Sequence, residues 1–253
     1  MKVTLLGTGT SQGIPVIACD CLVCASSNEK DKRLRCSVLI ETEHSTWVID
    51  TGPDFRQQML RAKVSQLDAV LLTHQHKDHI AGLDDVRAFN FKQKKDMPVY
   101  ADRMTLAQVK TEFYYAFEEI KYPGVPELVL HEIDDTPFLL QDTLIEPLWV
   151  HHHQLPVLGF RIGNFAYVTD AKTIPPESMQ KLQNLDVLIL NALRIQPHVS
   201  HLNLEEALSV VEKLKPQQTW FTHISHLLGR HDEISKLLPP NVNLAWDGLT
   251  FHV

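Results

Sequence analysis

The apolar run LDAVLLT, residues 67–73, ends directly in HQHKDH, residues 74–79. Nothing else in the chain limits the fold as tightly. A short apolar run of this kind reads as a buried strand, and at its end it delivers three histidines and an aspartate to one place. His74 and His76 stand two apart, so an extended segment points both the same way. Asp78 and His79 open the next segment and can reach a second centre. Solvated loop histidines are the plain alternative, but gathering such groups without a partner is costly in solvation. Imidazole and carboxylate together suit zinc, manganese or iron.

Histidine is also the outlier in composition, with 14 in the chain. They cluster again at His151–His152–His153, at His198 and His201, and at His223 and His226. The rest is ordinary for a soluble globular protein: 253 residues, 44% hydrophobic and 22% charged. A chain of this length buries a substantial core without staples. Its formal charge of −7 argues against broad nucleic-acid affinity, which needs basic stripes. A small anionic substrate remains open, because a bound dication inverts the local charge. No apolar run has the length to span a bilayer, and MKVTLLGTGTSQG reads as a first strand, not a signal peptide. The expectation is a cytoplasmic enzyme of one domain, residues 1–253, that engages neither nucleic acid nor membrane.

The pattern along the chain is strands with helices interspersed. KVTLLGT reads as a strand followed by a long loop to about residue 35, and CSVLIET with STWVID as a hairpin. Helices are expected over GPDFRQQMLRAK, over HIAGLDDVRAF and over residues 103–120, the last with Phe113, Tyr114, Tyr115 and Phe117 more at home in a core than lining a substrate pocket. The strands LVLHEI, TLIEPLWV, LGFRIG and FAYVTD follow, with Gly163–Asn164 as a tight turn. PPESMQKLQN reads as a helix, LDVLILNAL as a buried strand, NLEEALSVVEKL as a helix and QTWFTHI as a strand, and a hairpin around WDG closes the chain. Strand pairs followed by helices, twice over, imply two sheets sandwiched between helices.

THQHKDH resembles the signature of the metallo-β-lactamase superfamily of hydrolases. The resemblance implies an α/β fold, a four-layer αβ/βα sandwich with its site at the sandwich edge. It also implies three further ligands in order: a lone His, an Asp at a strand end and a late His. Asp170 in VTDAK and His223 in TWFTHIS hold the last two positions. The lone His is one of His151, His152 and His153, which cannot all face inward from a strand; His152 is preferred by its spacing to LPVLGF, similar to the pattern H-x-x-L-x-x-G of the phosphodiesterase branch. The implied site has His74, His76 and His152 on one metal, Asp78, His79 and His223 on the other, and Asp170 bridging. Two divalent metals, manganese or zinc with iron or nickel as substitutes, would activate a bridging water as hydroxide and clamp a phosphoryl group. His76 and Asp78 set the chain apart from the oxygen-reducing branch, which has a carboxylate at the second His position.

In the long first loop, at about residues 15–36, Cys19, Cys21 and Cys24 form C-x-C-x-x-C. In a cytoplasmic chain this spacing reads better as thiolate ligation than as disulfides, and three thiolates need a fourth ligand. His226 in THISH offers one. Here the resemblance narrows to the PhnP-like phosphodiesterases, which carry a structural zinc on three such cysteines and a His; it includes GTGTSQGIP, RCS, LGF, TD and THISH, nearly the whole chain. Cys36 lies outside the motif and reads as a small core residue.

A phosphodiesterase needs a proton for its leaving group, usually from a positioned His. His201 aligns with a His credited with this role in the PhnP-like and tRNA-processing branches, although SHLNLEE also reads as a helix entry. Arg194 is a candidate for a phosphate oxygen, with Arg33, Arg35 and Ser37 behind it, and Asp50 is a candidate partner orienting a ligand His. The function expected is a metal-dependent phosphodiesterase on small or cyclic phosphate esters, with Asp78, Asp170 and His201 central to catalysis; a homodimer is plausible for the family. Ester, thioester or lactam hydrolysis on the same metals is the rival within enzymes, and a non-catalytic metal-binding module the rival outside them.

Overall fold

The computed structural model describes residues 1–253, and its strands fall into two seven-stranded sheets. The first half of the chain contributes β1 (Lys2–Gly7), β2 (Ser37–Glu41), β3 (Thr46–Ile49), α1 (Phe55–Ala62), β4 (Ala69–Leu71), α2 (Lys77–Ile80), α3 (Arg87–Gln93), β5 (Met97–Ala101), α4 (Arg103–Glu112) and β6 (Leu128–Glu132). The second half contributes β7 (Phe138–Leu140), β8 (Thr143–His152), β9 (Leu155–Ile162), β10 (Phe165–Val168), α5 (Pro176–Lys181), β11 (Val187–Asn191), α6 (Leu204–Leu214), β12 (Gln218–Thr222), α7 (His231–Ser235), β13 (Val242–Leu244) and β14 (Thr250–His252). The sheet orders are β14-β1-β2-β3-β4-β5-β6 and β13-β12-β11-β10-β9-β8-β7.

Strand alternation sorts the core into three layers. In β3, Trp47 and Ile49 face the opposite sheet while Val48 packs outward with Phe55, Phe89 and Leu106 of the helices. In β11, Ile189 faces inward while Leu188 and Leu190 pack with Ala207 and Val211 of α6. Strands covered on both faces need apolar residues at every position, which is why LDAVLLT and LDVLILN read as unbroken runs. The result is the four-layer αβ/βα sandwich of the metallo-β-lactamase fold. No helix is long and apolar enough to cross a membrane.

Three of the expected elements take a different form. The final hairpin is absent: β13 lies parallel to β12 in one sheet, whereas β14 lies antiparallel to β1 in the other. The WDG segment crosses between the sheets, anchored where the Asp247 carboxylate accepts from Thr8 Oγ1 and the Leu34 amide, each at 2.8 Å. The helix begun at Arg103 stops at Glu112, and the aromatic run makes a single 3-10 turn, Tyr114–Ala116, that buries Phe113 and Ala116 and lets Tyr115 donate to Asp84 at 2.6 Å. Aromatic residues give a helix little support of their own. The helix expected over HIAGLDDVRAF is broken after Ile80, because Gly82 passes so close to the chain that a Cβ there would lie 2.2 Å from the Gly52 carbonyl.

Candidate functional site

The strands β3–β6 run parallel, as do β10–β13, and the chemistry gathers where their carboxyl ends open at one edge of the sandwich. Asp50 follows β3, His74 lies three residues after β4, Asp170 lies two after β10, and His223 follows β12. Asp50, Asp170 and His223 all adopt left-handed backbone, with φ of 64°, 56° and 53°. Such a conformation costs a non-glycine residue roughly 1–3 kcal/mol and persists where the surrounding structure enforces it, often at functional sites.

Hydrogen bonds then decide which ring nitrogens are bare. His79 Nδ1 donates to Asp50 Oδ2 at 2.7 Å, leaving its Nε2 free, 3.2 Å from Asp78 Oδ2 and 3.3 Å from Asp170 Oδ2. Thr73 accounts for His74. Its hydroxyl has one proton, given to Asp50 at 2.9–3.0 Å, so toward His74 Nδ1 at 3.0 Å it accepts, and His74 Nε2 is bare. His152 Nδ1 faces the Asp170 carbonyl at 3.2 Å; a carbonyl only accepts, so the Nε2 of His152 is bare as well. The buried Nε2 atoms of His74, His79 and His223 have no hydrogen-bond partner. Asp170 Oδ1 is 3.2 Å from His223 Nε2.

The structure therefore brings together the seven residues named from the sequence. Asp78, His79 and His223 form one close group, and His74, His79 and Asp170 another. The His74 ring lies 4.6 Å from that of His76 and 6.0 Å from that of His152. Of the triplet, His152 is the member in the cluster: His151 pairs its backbone with Thr173, and His153, with φ 58°, makes the exposed β8–β9 turn. His201 is buried at the cluster's edge, its ring 4.4 Å from that of His152 and 4.7 Å from that of His223.

The charge balance fits a cation. Burial opposes a charge on His79, yet the carboxylates of Asp78, Asp50 and Asp170 around it push its pKa well above the usual range. Burial likewise opposes ionisation of Asp78 and Asp170, but the neighbouring histidines hold both well below the ordinary carboxylate range. His74 is pushed well below the ordinary value by burial, and His201 down to about 2 by burial and then by the charge of His223. Bare nitrogens and ionised carboxylates in one cluster, buried at His74, His79, Asp170 and His223 and opening to solvent at His76, are the donor set of a divalent-metal site.

Three neighbours are absent from the sequence reading. Thr73 couples Asp50 to His74 as described. Asn191, ending β11, brackets the residue after Asp170, its Oδ1 accepting from the Ala171 amide at 2.7 Å and its Nδ2 donating to the Ala171 carbonyl at 2.9 Å. Gly52 lets the segment carrying Asp78 approach: a Cβ there would lie 2.1 Å from the Asp78 carbonyl. TGPD was read only as a helix start, and a threonine next to a dense His motif attracts no notice on its own. Thr73→Val keeps the shape but breaks the coupling, and is expected to weaken metal binding about 10–100-fold in competition with a chelator.

Of the candidate phosphate ligands, Arg33 is buried elsewhere, donating to Thr8 at 2.8 Å and to His231 Nδ1 at 3.2 Å. Arg35 pairs with Asp54 at 3.2 Å, and Ser37 donates to the Asp50 carbonyl at 2.8 Å. Arg194 spends two nitrogens on its own loop, donating to the carbonyls of Gln196 at 3.1 Å and Pro197 at 2.6 Å.

The second cluster gathers on His226, three residues after His223. The sulfurs of Cys19, Cys21 and Cys24 stand 3.3, 3.4 and 3.5 Å from His226 Nδ1. Zinc bonds of about 2.3 Å to sulfur and about 2.0–2.1 Å to nitrogen, meeting at a tetrahedral angle, put the two atoms about 3.6 Å apart. The fit is close. The Cys24 amide donates to Cys21 Sγ and, with the nearby His226, draws the Cys21 pKa down to about 6. Cys36 is buried against Thr222, apart from this group.

The same loop depends on a neutral histidine. Arg33 donates to His231 Nδ1, and burial followed by the charges of Arg33 and Lys30 lowers the His231 pKa to about 4. Unfolded, the ring titrates near its ordinary value of about 6.5, so the unfolded chain binds the extra proton first. The contribution of His231 to stability is complete above about pH 6.5 and is lost as the pH falls toward about 4. His231→Asn retains an acceptor for Arg33, and thermal melts of the variant should lose less stability than the parent across that window.

A family model described as a beta-lactamase superfamily domain matches residues 46–224. A crystal structure of a diphosphatase from the PhnP family is 40% identical, with a TM-score of 0.94, and the match covers 100% of this chain and 97% of that one. The chain belongs to the metallo-β-lactamase superfamily and, within it, to the PhnP family. The fold implies divalent metals. Zn(2+)-bound PqqB from Methylobacterium extorquens shares the fold, with a TM-score of 0.83, 18% identity and complete coverage of both chains. An octanoyltransferase of Porphyromonas gingivalis is 40% identical over 252 residues, covering 98% of this chain. The PhnP-family chain spans about half, 51%, of that relative's length.

Proposed function

We propose that this PhnP-family chain is a dinuclear metal-dependent phosphodiesterase acting on small phosphate esters, cyclic esters and diphosphate esters included. The observation that carries the reading is Asp170, whose carboxylate groups with His74 and with His152 of one ligand set and stands 3.3 Å from His79 Nε2 and 3.2 Å from His223 Nε2 of the other. A carboxylate so placed would serve two centres at once. His74, His76 and His152 would hold one metal, Asp78, His79 and His223 the other, with Asp170 between them. Bound there, divalent cations supply Lewis acidity, polarising a phosphoryl oxygen and making a water acidic enough to act as nucleophile at neutral pH.

The chain's own residues do the rest. Asp50 fixes the His79 tautomer, Thr73 that of His74, and the Asp170 carbonyl that of His152. His201 stands at the cluster edge as the proton donor for the leaving oxygen. Burial keeps its ring neutral at rest, and the negative charge of a bound phosphate ester favours its protonated form. The diphosphatase activity of the PhnP-family relative supports phosphate esters as the substrate class.

The octanoyltransferase name of the half-matched relative favours a second reading, hydrolysis of an acyl ester or thioester on the same residues. Rates on bis(p-nitrophenyl) phosphate, a ribose cyclic phosphate, an octanoyl thioester and a lactam, with and without added manganese, separate the two. Manganese-stimulated phosphodiester cleavage is expected. Cleavage of the thioester or lactam with the phosphodiesters untouched would overturn the assignment.

A further inference from the structure

The loop between β11 and α6 is bonded mainly to itself. Besides the two Arg194 contacts, Asn203 Nδ2 donates to the Ile195 carbonyl at 3.0 Å, and the Leu193 amide donates to the Leu202 carbonyl at 3.0 Å. The Leu202 amide pins the loop to the Ala171 carbonyl at 2.8 Å, next to Asp170. Arg194 is thus a brace of this loop. What the brace mounts is His198.

The Ser200 backbone N–H lies 3.3 Å from His198 Nδ1, and the Ser200 hydroxyl 3.2 Å from the same atom. A backbone amide can only donate, so Nδ1 is the acceptor and the neutral ring carries its proton on Nε2. Burial, followed by the charge of Arg194, lowers the ring's pKa from its ordinary value, which favours the neutral form. The tautomer is set in advance, and no group of the protein is hydrogen-bonded to Nε2. The ring centroid lies 5.1 Å from that of His201, one ring further from Asp170 and still half-buried. Of the charged groups that act on it, Arg194 is spent on its own loop and Lys172 is paired with Glu206 at 2.7 Å, and the remaining two are His152 and His223.

A half-buried N–H donor with a fixed tautomer and no protein partner, on the loop braced by the Arg194 guanidinium and one ring beyond the proposed proton donor, is a place for negative charge on the leaving side of the substrate. We propose that the loop from Arg194 to Asn203 forms an anion subsite in which His198 Nε2–H binds a second phosphoryl group, giving the site a preference for diphosphate esters over monophosphate esters. The inference rests on the phosphoesterase reading of the metal-ligand cluster. It makes His198 a specificity-determining residue and leaves Arg194 a positioning residue, acting through the loop.

Binding decides it without requiring turnover. Titration calorimetry of the metal-loaded protein compares AMP with α,β-methylene-ADP, which differ by one phosphoryl group. The parent should bind the diphosphate analogue more tightly. A hydrogen bond to a charged group is worth enough that His198→Ala should cut the ratio of the two affinities about tenfold or more. His198→Gln, which returns an N–H donor near the Nε2 position, should recover most of the ratio. An unchanged ratio in His198→Ala, equal loss of both ligands, or no preference in the parent would each overturn the subsite. Hydrolysis of bis(p-nitrophenyl) phosphate by the same parent preparation reports on the underlying reading separately, since the affinity ratio can hold even if that substrate is not cleaved.

Discussion

Asp170→Asn is expected to leave the fold intact and to remove at least one of the two metals proposed for the site, with kcat/KM on phosphodiesters falling on the order of 10³-fold, about 4 kcal/mol of transition-state stabilisation. The substitution is a clean one because of the backbone. Asp170 sits at φ 56°, a conformation that asparagine tolerates better than most residues, so the turn after β10 should survive. What changes is the donor set. One carboxylate oxygen lies 3.2 Å from His223 Nε2 and the other 3.3 Å from His79 Nε2. An amide replaces one of these oxygens with an NH2 that cannot ligate, and it removes a negative charge from a cluster in which burial already opposes uncompensated cations. Elemental mass spectrometry and steady-state rates on the same preparation check both halves of the expectation. Full metal content with unaltered rates would show that Asp170 is not shared between two centres.

The second large effect is expected at the other cluster. With zinc held by Cys19, Cys21, Cys24 and His226, as their spacing fits, Cys24→Ser should release it and lower the thermal midpoint by about 6–20 °C, taking a loss of about 3–5 kcal/mol and 2–4 °C per kcal/mol for a chain of this size. The site ties a loop with little secondary structure of its own to the turn after β12. That turn is also held to the first strand's exit, where the Ile224 amide donates to the Thr8 carbonyl at 2.9 Å and the Thr10 amide to the Ile224 carbonyl at 3.0 Å. His223 and His226 stand three residues apart on this turn, one in each cluster. Zinc loss should therefore reach the active site as well, as weaker binding of its metals, although Cys24 lies among none of their ligands. Differential scanning calorimetry with zinc analysis tests the prediction, and an unshifted midpoint in zinc-free Cys24→Ser would contradict it.

The fold and the cluster were legible in the sequence to different depths for physical reasons. A parallel strand covered on both faces must be apolar throughout, so β4 and β11 stood out, and the polar residues at their ends marked the site edge. The position of His152 within a triplet was not readable from alternation alone, because β8 ends there and His153 turns the chain; the Asp170 carbonyl that orients His152 comes from 18 residues away. β5 was missed because Pro98 interrupts a strand pattern that is nevertheless paired on both sides, with β4 and β6. The closing segment looked like a hairpin because Asp-Gly is a local turn signal, whereas Asp247 is held by Thr8 and Leu34, more than 200 residues away. Thr73 and Asn191 were silent for a related reason: their roles exist only once other strands bring Asp50 against Thr73 and Ala171 against Asn191.

The most direct test is a metal titration. The protein is stripped of its weakly held metals while the Cys19–Cys21–Cys24–His226 zinc is retained, and manganese is added back in measured equivalents during hydrolysis of bis(p-nitrophenyl) phosphate. If Asp170 joins two centres, activity should be near zero without added metal and should rise to its plateau as the second bound equivalent is reached. Full activity at one bound equivalent would contradict a dinuclear site, and two bound equivalents without phosphodiester cleavage would contradict the proposed function.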